Sequence, residues 1–201
     1  RSPNVDTGYV VSLASTVDGA TTCDVPLDFD TVPVSTMFSV LVLASSSRPL
    51  YYETIQVTSM REMLSRAYNF DQLLAFDTSR LASMKTMFSN AISLNNTLPF
   101  DTGSVTDLSY MLQFATSFNQ PVLFDASLVT KMVQMFDGAS AFGQPLDFDV
   151  SSVTIDGMNG MFEGTAALSE CNKRAIHDSL SVSTVWCCAT GSAGYDWGGF
   201  C

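Results

Sequence analysis

Residues 105–128, VTDLSYMLQFATSFNQPVLFDASL, are followed at once by a second version of themselves, VTKMVQMFDGASAFGQPLDFDVSS, at 129–152. Units with the same 24-residue period also begin at Val57, Leu81 and Val153. Two degenerate units begin at Val10 and Val34. A unit of this size cannot bury its own apolar side chains, so it must stack on its neighbours. The period therefore predicts a repeat solenoid of about seven 24-residue coils.

Positions within a unit are numbered here from its first apolar residue, so that Val105 and Val129 occupy position 1. The opening Val-Thr-x-Met is short and partly β-branched, which favours a strand. Apolar residues at positions 4, 7, 8 and 11 have the spacing of a short helix. The pattern predicts a parallel β-sheet on one face with short helices opposite. Position 20 predicts an internal aromatic ladder: Phe29, Tyr52, Phe76, Phe100, Phe124 and Phe148.

The repeats divide the chain into an N-terminal segment (1–9), the solenoid (10–168) and a C-terminal cap (169–201). Four of the five cysteines lie in the cap, which is typical of a disulfide-stapled segment in an oxidising compartment. We predict a capping helix from Ser169 to Leu180 and a disulfide between Cys171 and Cys201. Cys187 and Cys188 then form a vicinal pair, or one pairs locally and the other with another molecule.

Composition excludes several classes of partner. The formal net charge is −11, which disfavours nucleic acid and anionic membranes, since both require clustered Lys and Arg. The longest apolar run, residues 38–44, is too short for insertion into a membrane. The chain begins with Arg1 instead of Met, which leads us to expect that an upstream segment such as a signal peptide was removed.

Residues 135–154, MFDGASAFGQPLDFDVSSVT, resemble the BspA-like leucine-rich-repeat surface proteins of bacteria, protists and marine algae. The tail LSECNKRAIHDSL…YDWGGFC resembles the terminal cap of algal members. The resemblance covers residues 10–168. It implies a secreted or surface-anchored solenoid with a leucine-rich-repeat-like fold, used for adhesion or as structural material. The fixed Asn ladder of ordinary leucine-rich repeats is missing, so the resemblance does not predict the horseshoe curvature of that class.

Position 21 is acidic in six units: Asp30, Glu53, Asp77, Asp101, Asp125 and Asp149. Like charges one coil apart, about 4.8 Å, repel by roughly 1 kcal/mol in water, so something must compensate. One interpretation is that each carboxylate accepts N–H groups of the turn that follows it. The other is a ladder of divalent cations such as calcium, with extra ligands where Asp28 joins Asp30 and Asp147 joins Asp149.

Position 2 is nearly a threonine column, and its members Thr58, Thr106, Thr130 and Thr154 are the candidate binding residues. The column has two interpretations. Its threonines are either β-branched residues that suit a strand, or a regular surface that binds ice, a glycan or another solenoid. Ala82 interrupts the column, which weakens the ice interpretation. If the protein is secreted, Asn95 in Asn-Asn-Thr is a candidate glycosylation site in the turn after the helix.

No arrangement of residues predicts catalysis, and His177 is the only histidine. We therefore expect a non-enzyme without a cofactor, calcium being the one candidate. Two functions are considered. The first is an extracellular structural or adhesion scaffold that assembles head to tail into filaments or a surface layer. The second is a recognition module that binds a glycan or protein through one face.

The N-terminal segment is too short and polar to cover the apolar side chains of the first coil. Three explanations compete: a longer parent chain, a degenerate first coil that acts as its own lid, or another subunit docked there. The environment of Val10 to Cys23 in the assembled protein would decide between them.

Overall fold

The computed structural model describes residues 35–39, 54–154 and 156–181, and every structural statement below concerns these ranges. Successive repeats lie on one another and are joined by backbone hydrogen bonds. At position 2 the N–H of Thr106 donates to the carbonyl of Ala82 in the preceding coil (3.0 Å). At position 8 the N–H of Leu112 donates to Met135 in the following coil (2.9 Å). Each coil is thus bonded in both directions along the chain.

The segment from position 4 to position 11 is built from hydrogen-bonded turns. The N–H of Met111 donates to Leu108 (3.2 Å), and that of Ala115 to Leu112 (3.1 Å). The third residue of each turn has a positive φ, 61° at Tyr110 and 54° at Phe114. This combination is the signature of a type II turn. Positive φ also occurs at the other described residues of positions 6 and 10: Ser39, Glu62, Arg66, Thr86, Asn90, Gln134, Gly138, Gly160 and Gly164.

The predicted fold class, a solenoid with a parallel sheet and opposing short helices, is wrong. The described residues contain no extended strand, only isolated parallel bridges at position 3: Thr36–Ser59, Ser59–Ser83, Ser83–Asp107 and Asp107–Lys131. The left-handed residue at position 6 turns the chain soon after each bridge, so the ladder cannot lengthen. Helices do not form because the N–H groups of positions 4, 6, 8 and 10 donate to the next coil instead of to a carbonyl four residues back.

The core lies inside the stacked turns, and the apolar columns at positions 1, 4, 7, 8 and 11 are buried, as predicted. The aromatic column at position 20 is also buried at Phe76, Phe100, Phe124 and Phe148. The rings of Phe100 and Phe124 stack with centroids 6.5 Å apart. Phe29 and Tyr52 lie outside the described residues. The spacing that resembles a helix therefore reflects two successive turns that return side chains to one interior.

The one helix among the described residues is α1, Glu170–Leu180. Its N-cap is Ser169, whose hydroxyl accepts the N–H of Asn172 (3.1 Å). Ile176 and Leu180 are buried, which anchors the helix to the stack. This confirms the helix predicted from Ser169 to Leu180. The residues of the predicted N-terminal boundary lie outside the described ranges, and so does the first coil on which the question of self-capping depends.

Candidate functional site

A ladder of side-chain oxygens runs along positions 15 and 16. The Asp71 carboxylate accepts the N–H of Asn95 (2.7 Å), and the Asn95 side-chain oxygen accepts the N–H of Asn119 (2.9 Å). The Asn119 oxygen in turn accepts the N–H of Gly143 (3.0 Å). The amides of Asn96, Gln120 and Gln144 donate to the same oxygens from position 16. The Asn ladder that the sequence was expected to lack is therefore present in part, with Asp71 in place of Asn in one coil.

The ladder ends at the cap. The Asn172 amide on α1 donates to the carbonyl of Gly143, where the position-15 column runs out of side chains. Nearby, the Ser179 hydroxyl donates to the Asp147 carboxylate (3.0 Å). Helix α1 therefore lies against the return segment of the sixth coil.

The predicted binding threonines form one column on the surface. The hydroxyl of each donates to a carbonyl of the preceding coil: Thr58 to Ser35 (3.2 Å), Thr106 to Ala82 (3.1 Å), Thr130 to Thr106 (3.1 Å) and Thr154 to Thr130 (3.2 Å). A hydroxyl has a single proton to donate. A ligand of this column would therefore meet acceptor lone pairs and methyl groups, not free donors.

A second threonine column, at position 22, was not predicted. Thr54, Thr78 and Thr102 are buried, and their hydroxyls donate to the carbonyls of Asp77, Asp101 and Asp125 at 2.9, 2.9 and 3.0 Å. In the next two coils the position is held by Ala126 and Val150, also buried. The recurrent Asp-Thr dipeptide is the sequence signal that could have revealed it.

The acidic column at position 21 adopts the turn geometry of the first interpretation. The carboxylates of Asp77, Asp101, Asp125 and Asp149 each accept the N–H two residues later, at 2.9 to 3.0 Å. The hydroxyl and N–H of Ser79 lower the pKa of Asp77, and those of Ser127 lower that of Asp125. At Asp149 the N–H and hydroxyl of Ser151 lower the pKa, while the neighbouring Asp125 charge partly opposes this.

The predicted calcium ligands are not brought together into a metal centre in the described part of the chain. There, no group of three or more His, Cys, Asp or Glu side chains lies close enough to hold a metal ion. Asp149 serves its own turn, and Asp147 is bonded to Ser179 of α1. Asp28 and Asp30 lie outside the described ranges, so a cation bound to that pair stays a prediction.

A groove of about 670 Å³ lies between α1 and the return segments of the fifth and sixth coils. Pro121, Leu123, Pro145 and Ala175 are among its lining residues. Leu123 is 90% exposed, the most of any large apolar residue described. The groove is a local departure of the described surface from the regular columns.

The predicted modification sites are placed as follows. Asn95 is exposed, and its side-chain oxygen accepts two hydrogen bonds in the amide ladder. Cys171 is exposed on α1, whereas Cys201 lies outside the described residues. Glycosylation and the Cys171–Cys201 disulfide both stay predictions. Among the described helices, none has the length and apolar character needed to cross a bilayer.

Comparison with known proteins gives one match. A family model described as "Mycoplasma protein of unknown function, DUF285" matches three overlapping stretches, residues 3–97, 34–123 and 97–182. No curated protein and no solved structure matches the chain. Repeated matching along one chain is expected of a tandem repeat, and it supports the resemblance to BspA-like repeat proteins at that level. The chain belongs to the DUF285 family.

Proposed function

We propose that this protein is an extracellular structural or adhesion scaffold without catalytic activity, which assembles head to tail into filaments or a surface layer. We further propose that it is a secreted member of the algal and protist type, closed by a disulfide-containing C-terminal cap. Its expected partners are other copies of itself, or another extracellular protein or glycan.

The observation that carries the proposal is the repetition of one coil-to-coil interface. Backbone bonds, the amide ladder and both threonine columns recur with the same partners in successive coils. A surface used for one ligand needs a local departure from the repeat, whereas a scaffold needs a regular surface. In the described columns, the polar groups form hydrogen bonds between neighbouring coils, as expected of structural material.

Electron microscopy and sedimentation of the native material test the proposal. Long polymers or a two-dimensional layer are expected from a scaffold. A monomer at all accessible concentrations would contradict assembly, and robust turnover of a small substrate would contradict the non-enzymatic role.

The groove beside α1 favours the alternative function, a recognition module for a glycan or protein. Its exposed Leu123 and flanking prolines are the kind of local departure that binding requires. A glycan array and a pull-down with the intact protein distinguish the two functions: specific binding that is lost in Leu123→Asp, by a protein that stays monomeric, would favour recognition.

A further inference from the structure

Side chains at positions 5, 6 and 9 of the third to seventh coils form one continuous surface, which we call the turn face. A cavity of about 160 Å³ between the sixth and seventh coils is lined by all three positions, including Val133, Gln134 and Glu163. The seventh coil has two extra residues near its start, so Glu163 occupies position 9. The amides of Gln113 at position 9 and Gln134 at position 6 both donate to the Asp137 carboxylate, at 2.9 and 3.0 Å. The three positions therefore contact one another within and between coils.

The charges of the turn face are separated along the stack. The cations are Arg61 and Lys85, at position 5 of the third and fourth coils. The anions Asp137 and Glu163 occupy position 9 of the sixth and seventh coils. The remaining charge at these positions, Glu62 in the third coil, accepts a hydroxyl of the preceding coil (3.2 Å). One half of the face is therefore mainly basic and the other half is acidic.

This separation is unfavourable within a single molecule. Neighbouring coils lie about 4.8 Å apart, so each charge has a like charge close to it. The ring of Tyr110 partly compensates Lys85, whose Nζ lies 5.5 Å from the ring centroid. Asp137 is buried beneath its two amides, whereas Arg61 and Glu163 are exposed. The two outermost charges are thus the ones that charges of another molecule can meet.

The order of the charges is self-complementary about the fifth coil. Arg61 lies two coils before it and Glu163 lies two coils after it. Lys85 lies one coil before it and Asp137 lies one coil after it. Tyr110 occupies the uncharged centre. A second copy turned by 180°, so that its coils run in the opposite direction, would place an anion opposite each of the two cations.

We propose that the turn face pairs side by side with the turn face of a second copy of this chain, antiparallel and with the two-fold axis near Tyr110. Parallel pairing would place Arg61 against Arg61 and Glu163 against Glu163, so charge complementarity selects the antiparallel arrangement. The inference rests on the proposed function. It adds a lateral contact, which a surface layer requires in addition to the head-to-tail contact.

The net charge of the chain does not prevent this pairing. Two copies of net charge −11 repel each other at long range. At physiological ionic strength that repulsion is screened beyond about 8 Å, whereas opposite charges in direct contact are screened much less. The local order of charges on the turn face therefore decides whether the two faces attract.

The test reverses the charges of one expected contact and measures self-association of the full chain by analytical ultracentrifugation. Arg61→Glu should weaken association about tenfold or more, because the two-fold axis makes the altered contact occur twice. Glu163→Arg should have the same effect. An equimolar mixture of the two variants should recover the association of the unchanged protein to within about threefold. In the mixed pair, each variant presents to the other the opposite charge at both contacts.

Arg80→Glu is the matched control, because it makes the same change of charge in the same coil as Arg61→Glu. Arg80 lies at position 24, off the turn face, where its guanidinium donates to Gln56 (2.8 Å). Association of this variant should stay within about twofold of the unchanged protein. Circular dichroism of the three variants checks that each one is folded, and electron microscopy shows whether single filaments still form.

The outcomes separate this inference from the proposed function. If Arg61→Glu and Glu163→Arg both associate like the unchanged protein, the inference is overturned and the scaffold stands. Weakening by each variant without recovery in the mixture also overturns it, because the two residues then do not meet across the contact. A protein that never assembles contradicts the proposed function as well.

Discussion

At single positions of the turn segment, the distance between neighbouring backbones determines which residue type fits. Gly157 shows this best, because a Cβ added there would lie 2.5 Å from the carbonyl oxygen of Thr130 and 2.9 Å from that of Thr154. The Thr130 carbonyl cannot move aside freely, since it accepts both the N–H and the hydroxyl of Thr154. Glycine is therefore required at this position by space between backbones.

Replacing Gly157 by Ala should lower the free energy of unfolding by about 1–3 kcal/mol, the usual cost of overpacking. The control is Gly103→Ala, where the nearest atom to the new Cβ is the Asp101 carboxylate oxygen at 3.4 Å. That substitution should change the free energy of unfolding by no more than about 0.5 kcal/mol. Urea denaturation of the two variants measures both effects. Equal destabilisation would show that the coils do not approach closely at Gly157.

The left-handed residues of the turns were missed because most of them are not glycine. Thr86 and Tyr110 have φ of 57° and 61°, a conformation uncommon for such side chains. In the last two coils, three of the four equivalent positions hold glycine: Gly138, Gly160 and Gly164. Those glycines indicate turns. In the earlier coils, however, the apolar residues at positions 4, 7, 8 and 11 have the spacing that predicts a helix. Period alone cannot separate a helix from two successive turns that bury the same positions.

Among the elements of the fold, the amide ladder links neighbouring coils through a single acceptor oxygen in each coil. The Asn119 oxygen accepts two hydrogen bonds from the next coil, from the N–H of Gly143 and the amide of Gln144, both at 3.0 Å. Two coils earlier, the Asp71 carboxylate accepts the equivalent pair of hydrogen bonds, from the N–H of Asn95 and the side-chain amide of Asn96. The role thus requires an acceptor oxygen at position 15 and not an amide as such.

Asn119→Ala should destabilise the protein by about 1–2 kcal/mol, since each lost hydrogen bond is worth about 0.5–1.5 kcal/mol. Asn119→Asp keeps the acceptor and should lose clearly less. Chemical denaturation followed by circular dichroism measures the difference. If the two variants were equally unstable, the side-chain oxygen would not be what joins the coils.

The acidic column makes stability depend on pH. The pKa values of Asp77, Asp125 and Asp149 are lower in the folded protein than in the unfolded chain. These carboxylates therefore stabilise the folded state fully above the unfolded pKa of about 4. The stabilisation is lost as pH falls through their folded-state pKa values. The free energy of unfolding should therefore decrease below about pH 4.

Ser79→Ala removes the hydroxyl that donates to Asp77 (2.6 Å) and should raise the pKa of that carboxyl toward its ordinary value. The control Ser104→Ala lies in the following coil and should leave the pKa of Asp77 unchanged. An NMR titration of the Asp77 carboxyl carbon reports the shift directly. An unchanged titration in Ser79→Ala would mean that the Ser79 hydroxyl does not stabilise the Asp77 carboxylate.

On the scale of the whole molecule, the sequence predicts the period, the buried columns, the aromatic ladder and helix α1. These depend on which residues are apolar and on the N-cap at Ser169, both of which are local in sequence. The direction of the coil-to-coil backbone hydrogen bonds is not local, because these bonds join residues 22 to 27 apart. That is why the sheet and the short helices were predicted wrongly, although the positions of the side chains were predicted correctly.

The most direct measurement of the stacked-coil structure is NMR detection of scalar couplings across its hydrogen bonds. Couplings are predicted between the N–H of Leu64 and the carbonyl carbon of Met87, and from Leu112 to Met135 and Phe136 to Met161. Each pair lies one repeat apart and at the centre of a different junction. Couplings from Leu112 back to Leu108, four residues earlier, would instead indicate a helix and would contradict the structure.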